Sequence, residues 1–162
     1  MNGTQLTLEG CDSDQPDPTY NASTFTCSPD SAYTSGNLGK KWAELDYVPF
    51  RLTVGSPELQ TFTIALAFDH ELFKGDESFI GYDDINDPFL NAALSTSGCS
   101  IDPGSIQIIG GVGGVDSTMY MFVDVTAPAG TCVFDYAGRL SLTSAEGFAG
   151  SSLHAGVASV VW

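Results

Sequence analysis

Hydrophobic and polar residues alternate along most of this chain, and helical spacing is nearly absent. The clearest stretch is 62–68, where Phe62, Ile64, Leu66 and Phe68 alternate with threonine and alanine. A period of two is typical of a strand with one buried face. About eight segments carry the pattern, at residues 4–9, 45–54, 62–68, 105–109, 119–125, 133–136, 140–142 and 153–162. We therefore predict an all-β fold, an antiparallel β-sandwich of the Ig-like or jelly-roll-like kind.

Two prolines predict local features of the fold, namely a short helix and an interruption in one strand. Asp87 and Pro88 favour one short helix over residues 87–94, with Asp87 as the N-cap and Pro88 at the first helical position. Pro49 lies inside a predicted strand and indicates an edge position or a bulge, because proline donates no hydrogen bond to a ladder. The 162 residues fit one domain. We predict a single extracellular β-sandwich over 1–162, with an N-terminal strand and a disulfide-pinned loop within 1–35.

The net charge of the chain limits the classes of molecule that it can bind. The chain carries 20 acidic and 5 basic residues and a formal net charge of −15. Five cations cannot form the basic surface that binds nucleic acid through its phosphates, and they cannot dock the chain on an anionic membrane. No apolar run approaches the ~20 residues of a transmembrane helix. We expect no nucleic-acid partner and no membrane insertion.

The four cysteines indicate an oxidising compartment. Cys11, Cys27, Cys99 and Cys132 lack the close paired spacing of zinc ligands, so disulfides are the better interpretation. Of three possible pairings we favour Cys11–Cys27 with Cys99–Cys132, because each pair closes a compact segment within its own half. The sequons at Asn2 and Asn21 agree with glycosylation and export. We expect a secreted or cell-surface protein.

Acidic residues gather at predicted strand ends and in the connections between them. Carboxylates that converge there can hold calcium, and the alternative is a set of ordinary aspartates that cap loops. The candidate calcium ligands are Asp69, Glu71, Asp76, Asp83, Asp84 and Asp87. Calcium is therefore the only cofactor that we predict.

Two segments resemble β-sandwich modules of large secreted and surface proteins of bacteria. Residues 42–52, WAELDYVPFRL, resemble their gDyVPYR strand, and residues 136–140 with 150–154 resemble their GGRLA…PGSSLH segment. The resemblance implies an exported, non-catalytic module in a surface, adhesive or fibre-forming protein. It carries over no catalytic residue.

Arg51, one of two arginines, lies on a largely apolar predicted strand. A guanidinium there needs a carboxylate, and the candidates are Asp46, Asp69 and Asp135. We interpret this pair as structural rather than ligand-binding.

Three hypotheses of function follow. The first is a structural or adhesive module, including a fibre subunit assembled by strand addition through 4–9, with Leu6 and Leu8 as anchors. Its partners are other copies or neighbouring modules. The alternative for 4–9 is pairing within its own sandwich. The second is a calcium-dependent carbohydrate-binding module, whose partners are glycans. The third is a secreted hydrolase, but His70 and His154 have no motif that orients them, and we expect no enzyme.

Overall fold

A computed structural model describes residues 3–13, 19–21, 24, 26–35, 46–74, 77–80, 82–109, 117–140 and 155–161. Within these residues the chain forms thirteen strands and two 3₁₀ turns, at Asp30–Ala32 and Ala92–Leu94. The strands are β1 (Gln5–Cys11), β2 (Thr19–Asn21), β3 (Thr26–Ser28), β4 (Tyr33–Thr34), β5 (Tyr47–Ser56), β6 (Gln60–Lys74), β7 (Glu77–Ile80), β8 (Tyr82–Ile85), β9 (Phe89–Leu90), β10 (Ser100–Ile109), β11 (Ser117–Ala127), β12 (Gly130–Leu140) and β13 (Ala155–Val161).

The strands form two antiparallel sheets and a separate hairpin. The first sheet has the order β4-β1-β5-β12-β8, and β9 also pairs with β12. The second sheet has the order β10-β11-β6-β13, and β7 also pairs with β6. Strands β2 and β3 pair only with each other in the described part of the chain. The all-β, sandwich-like fold predicted from the alternation is confirmed.

The core lies between the two sheets. Alternate residues of β5 and β12 face alternate residues of β6 and β11, and one continuous cluster of buried side chains fills the space. At one end, the ring centroids of Phe50 and Phe68 lie 5.7 Å apart and those of Phe68 and Tyr136 lie 5.9 Å apart, both edge to face. These contacts bridge the sheets because Phe50 and Tyr136 belong to the first sheet and Phe68 to the second.

Strand β12 is longer than the sequence pattern predicts. The segments 133–136 and 140–142 read as two strands, but β12 runs unbroken through Gly138, which pairs with Val48 and Ile85. A Cβ atom at Gly138 would lie 2.8 Å from Cδ1 of Tyr82 and 3.1 Å from Cε1 of Phe68. Glycine therefore permits the close approach of two aromatic rings instead of ending the strand.

The helix predicted over 87–94 is wrong. Phe89 and Leu90 form β9 and pair with Asp135 and Phe134, and only Ala92–Leu94 turn, as a single 3₁₀ turn. Pairing with the central strand β12 outweighs the local N-terminal signal of Asp87 and Pro88. The disulfide-pinned loop predicted within 1–35 likewise contains more structure than expected, because it holds the β2–β3 hairpin, a 3₁₀ turn and β4.

Pro49 occupies an interior strand at a point where that strand is locally an edge. Strand β5 lies between β1 and β12, but its pairing with β1 ends at Phe50, opposite Gly10. The next residue of β1, Cys11, pairs with Tyr33 of β4 instead. Among the described strands, Pro49 therefore has a partner only on the β12 side, at Ala137.

The two disulfides are Cys11–Cys27 and Cys99–Cys132, the pairs predicted from the sequence. The second joins β12 of the first sheet to the residue that precedes β10 of the second sheet, and so it ties the sheets together through the core. The first joins the end of β1 to β3. Disulfides of this kind are typical of proteins that fold in an oxidising environment.

Candidate functional site

Part of the outer face of the first sheet, around Arg51 and Asp135, is covered by a segment from the N-terminal part of the chain. We call the described residues 11–13, 19–21, 24 and 26–34 the covering segment. Cys11, Cys27, Ala32 and Tyr33 of this segment form a small buried cluster. The segment is fixed by the Cys11–Cys27 disulfide, and the backbone N–H of Asp12 donates to the carbonyl of Ala32 (2.9 Å).

A buried ion pair lies beneath the covering segment. Arg51 donates from Nε to Oδ1 of Asp135 (2.8 Å) and from Nη2 to Oδ2 of Asp135 (3.3 Å). Its Nη1 donates to Oδ1 of Asp30 in the covering segment (2.9 Å). The guanidinium carbon lies 4.0 Å from the centre of the Tyr33 ring, in cation–π contact. Of the three partners suggested by the sequence, the structure therefore selects Asp135.

Asp135 is fully enclosed and multiply bonded. Its carboxylate also accepts a hydrogen bond from Nδ2 of Asn91 (2.9 Å), which follows β9. Burial lowers the pKa of Arg51, but the hydrogen bonds to Asp135 and Asp30 outweigh it and hold that pKa above its ordinary value. The guanidinium thus stays charged and links β5, β12 and the covering segment. Each of its three nitrogens donates to a carboxylate of the protein itself, which favours the structural interpretation of the pair.

The outer face of the second sheet has a different character. Met119, Met121, Val123 and Val125 of β11 face the core, so Tyr120 and Phe122 lie on the other face and are half-buried. Their ring centroids are 6.3 Å apart and the rings are tilted by 34°. Their neighbours on β6 are Ala67 and Ala65, which are small. The two rings therefore project further from the sheet than the small side chains of Ala65 and Ala67 beside them.

Polar side chains occupy the same outer face of the second sheet further along β11 and β6. Beyond Phe122 along β11 come Asp124 and Thr126, opposite Thr63 and Thr61 of β6. The Thr63 hydroxyl donates to the Asp124 carboxylate, and the hydroxyls of Thr61 and Thr126 lie 3.2 Å apart. This surface, which we call the aromatic–hydroxyl face, combines two rings with a row of oxygen atoms. The rings can pack against the apolar part of an amphipathic ligand, and the oxygen atoms can form hydrogen bonds with its polar part.

Three strands of seven or more residues have an open edge in the described part of the chain, namely β1, β10 and β13, and β13 pairs only with β6 there. Strand β1 pairs with β5 on one side, and on the other side it meets β4 only at Gly10 and Cys11. Strand β10 pairs with β11 on one side only. Leu6 and Leu8, the predicted anchors, lie opposite Val54 and Leu52 and pack against the core of their own sandwich. The alternative of pairing within the sandwich is therefore the one that the structure adopts for 4–9.

The predicted calcium ligands are distributed over both sheets. The backbones of Asp69 and Glu71 lie in β6 of the second sheet, and those of Asp83 and Asp84 lie in β8 of the first. Asp76 and the side chains of Asp69, Glu71 and Asp83 lie outside the described residues. Asp87 is exposed, and Asp84 accepts a hydrogen bond from the Tyr47 hydroxyl (2.5 Å). The described side chains form no group of three or more metal-ligating residues.

One predicted glycosylation site can be placed. Asn21 is exposed at the end of β2, in the hairpin, and its Oδ1 accepts from the backbone N–H of Thr24 (3.3 Å). Asn2 lies outside the described residues. In the described part of the chain, no helix is long and apolar enough to cross a membrane.

Sequence reasoning missed the aromatic–hydroxyl face. Tyr120 and Phe122 alternate with methionine and valine, so both faces of β11 read as apolar and neither is marked as the outer one. The signal that could have found the face is the pair of alanines at 65 and 67, between the large residues of β6. A comparison with protein-family models, with curated proteins and with solved structures finds no match to this chain.

Proposed function

We propose that this protein is a non-catalytic extracellular module with a structural or adhesive role, which joins other copies or neighbouring modules through its sheet edges. The observation that carries the proposal is the edge of β1. Over Gln5–Glu9 this edge has no second neighbour among the described strands, although the strand itself is anchored to β5. A strand in this state offers backbone donors and acceptors to an incoming strand.

Other features support an extracellular setting. Two disulfides join sequence segments that are 16 and 33 residues apart, which is typical of exported proteins. The sequon asparagine Asn21 is exposed. The covering segment occupies the outer face of the first sheet around Arg51 and Asp135, so contacts with partners are expected at the edges and on the second sheet.

The test is to block the β1 edge without removing the strand. Thr7 is exposed and lies opposite Thr53, so Thr7→Lys places a charge beside the edge while Leu6 and Leu8 keep their packing. We expect filaments of the unaltered protein by negative-stain electron microscopy and none from Thr7→Lys. Thr61→Lys, the same change on the exposed start of β6, is the matched control and should assemble normally. Equal assembly by all three proteins would refute strand addition at β1.

A second candidate function is carbohydrate binding. It is favoured by the aromatic–hydroxyl face, because Tyr120 and Phe122 can pack against the apolar face of a sugar ring while the neighbouring threonines and Asp124 bond its hydroxyls. The charge of −15 favours neutral glycans over acidic ones.

A glycan array followed by calorimetry on the strongest neutral glycan tests this candidate. Phe122→Ala should abolish binding. Phe89→Ala removes an equally half-buried ring from β9 in the first sheet and should leave binding intact. If both variants bind alike, the face is not the site. The proposed calcium dependence is tested separately, because a melting temperature that is the same in millimolar Ca²⁺ and in EDTA removes calcium from the proposal.

A further inference from the structure

The second half of β10 is an apolar edge of the second sheet. Ile108 and Ile109 are 45% and 51% exposed, while Ile106 is partly buried against the core. Ile108 lies opposite Met121 on the core side and Ile109 lies opposite Tyr120 on the outer side. Apolar side chains therefore reach solvent on both sides of one strand that has a neighbour only at β11 among the described residues.

Nothing in this part of the strand protects the edge. Proteins usually guard an open edge with lysine, another charge, proline or a bulge. In β10 the register shift against β11 lies between Asp102 and Gln107 and includes Pro103, so the charge, the proline and the irregular pairing all precede Gln107, and Gln107–Ile109 pair regularly with β11. The stretch Ser105–Ile109, with sequence SIQII, holds no charged residue in a chain of net charge −15.

We propose that this stretch is a dimer interface, where β10 of one copy pairs antiparallel with β10 of a second copy about a two-fold axis. The occupant is a second copy because the stretch is complementary to itself. With the axis at Gln107, Ile106 of each copy lies opposite Ile108 of the other and extends the core side of the sheet. Gln107 then meets its own counterpart on the outer side.

The distribution of charge supports the same occupant and predicts how the dimer responds to salt. Two copies of charge −15 repel each other, and an uncharged edge is the part of the surface where that repulsion is weakest. Because salt screens the repulsion, we expect a higher fraction of dimer as ionic strength rises. The dimer does not rest on the proposed function, since a two-fold contact closes on itself whether or not filaments form through β1.

Sedimentation velocity over a range of protein concentrations tests the interface. We expect a monomer–dimer equilibrium that salt strengthens, and its loss in Ile108→Lys. Leu59→Lys is the matched control, because Leu59 is 71% exposed in the turn before β6 and the change adds the same charge. That control should dimerise like the unaltered protein, and unchanged circular dichroism melts should show that both variants fold.

Cross-linking tests the register. All four native cysteines are in disulfides. A single introduced thiol therefore forms an intermolecular disulfide with the same thiol of a second copy when the two lie close together. Gln107→Cys should form a covalent dimer under mild oxidation much faster than Thr61→Cys, an exposed position on β6. A monomer at all concentrations and salt levels, or an Ile108→Lys protein that still dimerises, overturns the proposal. So does an association that Thr7→Lys abolishes and Ile108→Lys leaves unchanged.

Discussion

Asp135 lies directly opposite Arg51 in the ladder between β5 and β12, and its two carboxylate oxygens accept from two nitrogens of the same guanidinium. Asp135 is 0% exposed, so this pair sits inside the protein although it is on the outer face of its sheet. The covering segment makes that burial possible, because it supplies Asp30 and Tyr33 as further partners of the arginine.

Removal of one partner of this pair should be strongly destabilising. Arg51→Met leaves Asp135 buried without its counter-charge, which costs about 3–5 kcal/mol of unfolding free energy. The double variant Arg51→Met/Asp135→Leu should recover a large part of the loss, because no lone charge is then buried. Urea denaturation measures both.

Arg139→Met is the control for this prediction. Arg139 is half-buried at the end of β12, with its guanidinium carbon 5.9 Å from the Tyr47 ring. We expect that variant to lose no more than about 1 kcal/mol. An Arg51→Met protein as stable as Arg139→Met would show that the buried pair has no structural role.

Gly138→Ala should destabilise the sandwich by about 1–3 kcal/mol, because its Cβ would collide with the rings of Tyr82 and Phe68. Gly55→Ala on the adjacent strand β5 is the matched control, since a Cβ there meets nothing within 4 Å. Thermal melts of the two variants make the comparison. Equal melting temperatures would mean that the aromatic end of the core is loose enough to absorb a methyl group.

Loss of either disulfide should lower the unfolding free energy by about 3–4 kcal/mol on loop-closure grounds. Cys99→Ala/Cys132→Ala should loosen the whole sandwich, because that bridge joins the two sheets. Cys11→Ala/Cys27→Ala should instead free the covering segment, so that hydrogen exchange rises at Asp12 and Ala32 before it rises in β6. A uniform rise in exchange in both variants would contradict this division.

The same change at two tyrosines should have opposite effects. The Tyr136 hydroxyl is buried and has no hydrogen-bond partner in the described part of the chain, so Tyr136→Phe should stabilise by about 1 kcal/mol. The Tyr33 hydroxyl accepts from the backbone N–H of Cys27 (3.1 Å). Tyr33→Phe leaves that amide unsatisfied and should destabilise by about 1–3 kcal/mol. If both variants shift in the same direction, the hydroxyls are not bonded as described.

Alkaline pH should destabilise the protein through these tyrosines. Burial raises the pKa of Tyr33 and raises that of Tyr136 well above its ordinary value. The unfolded chain therefore releases these protons near pH 10 while the native state retains them. Stability from this source is complete below pH 10 and falls as pH rises above it. Denaturation between pH 8 and 11.5 measures the slope, which Tyr136→Phe should reduce.

Local patterns along the chain were enough to predict several strands. Alternation identified β1, β5, β6 and β11, since a strand with one buried face has a period of two wherever it lies. The helix expected at 87–94 failed because Phe89 and Leu90 pair with β12, a partner more than 40 residues away that local signals do not reveal. The segments 133–136 and 140–142 were predicted as separate strands for a similar reason, since the two rings that lie against Gly138 come from β8 and β6.

The sequence by itself determined the class of fold and the strongly acidic character, because these depend on period and composition. It favoured the disulfide pairing that the structure shows, but two other pairings stayed open until the cysteines were placed in space. Only the tertiary structure decided which faces and edges are open. Strand β11 is apolar on both sides, so its outward residues Tyr120 and Phe122 became identifiable only once β6 and β10 were in place beside it. Arg51 likewise had three candidate partners in sequence. The register of β5 against β12 selected Asp135, because residues that lie opposite in an antiparallel ladder share a face and are within reach of each other.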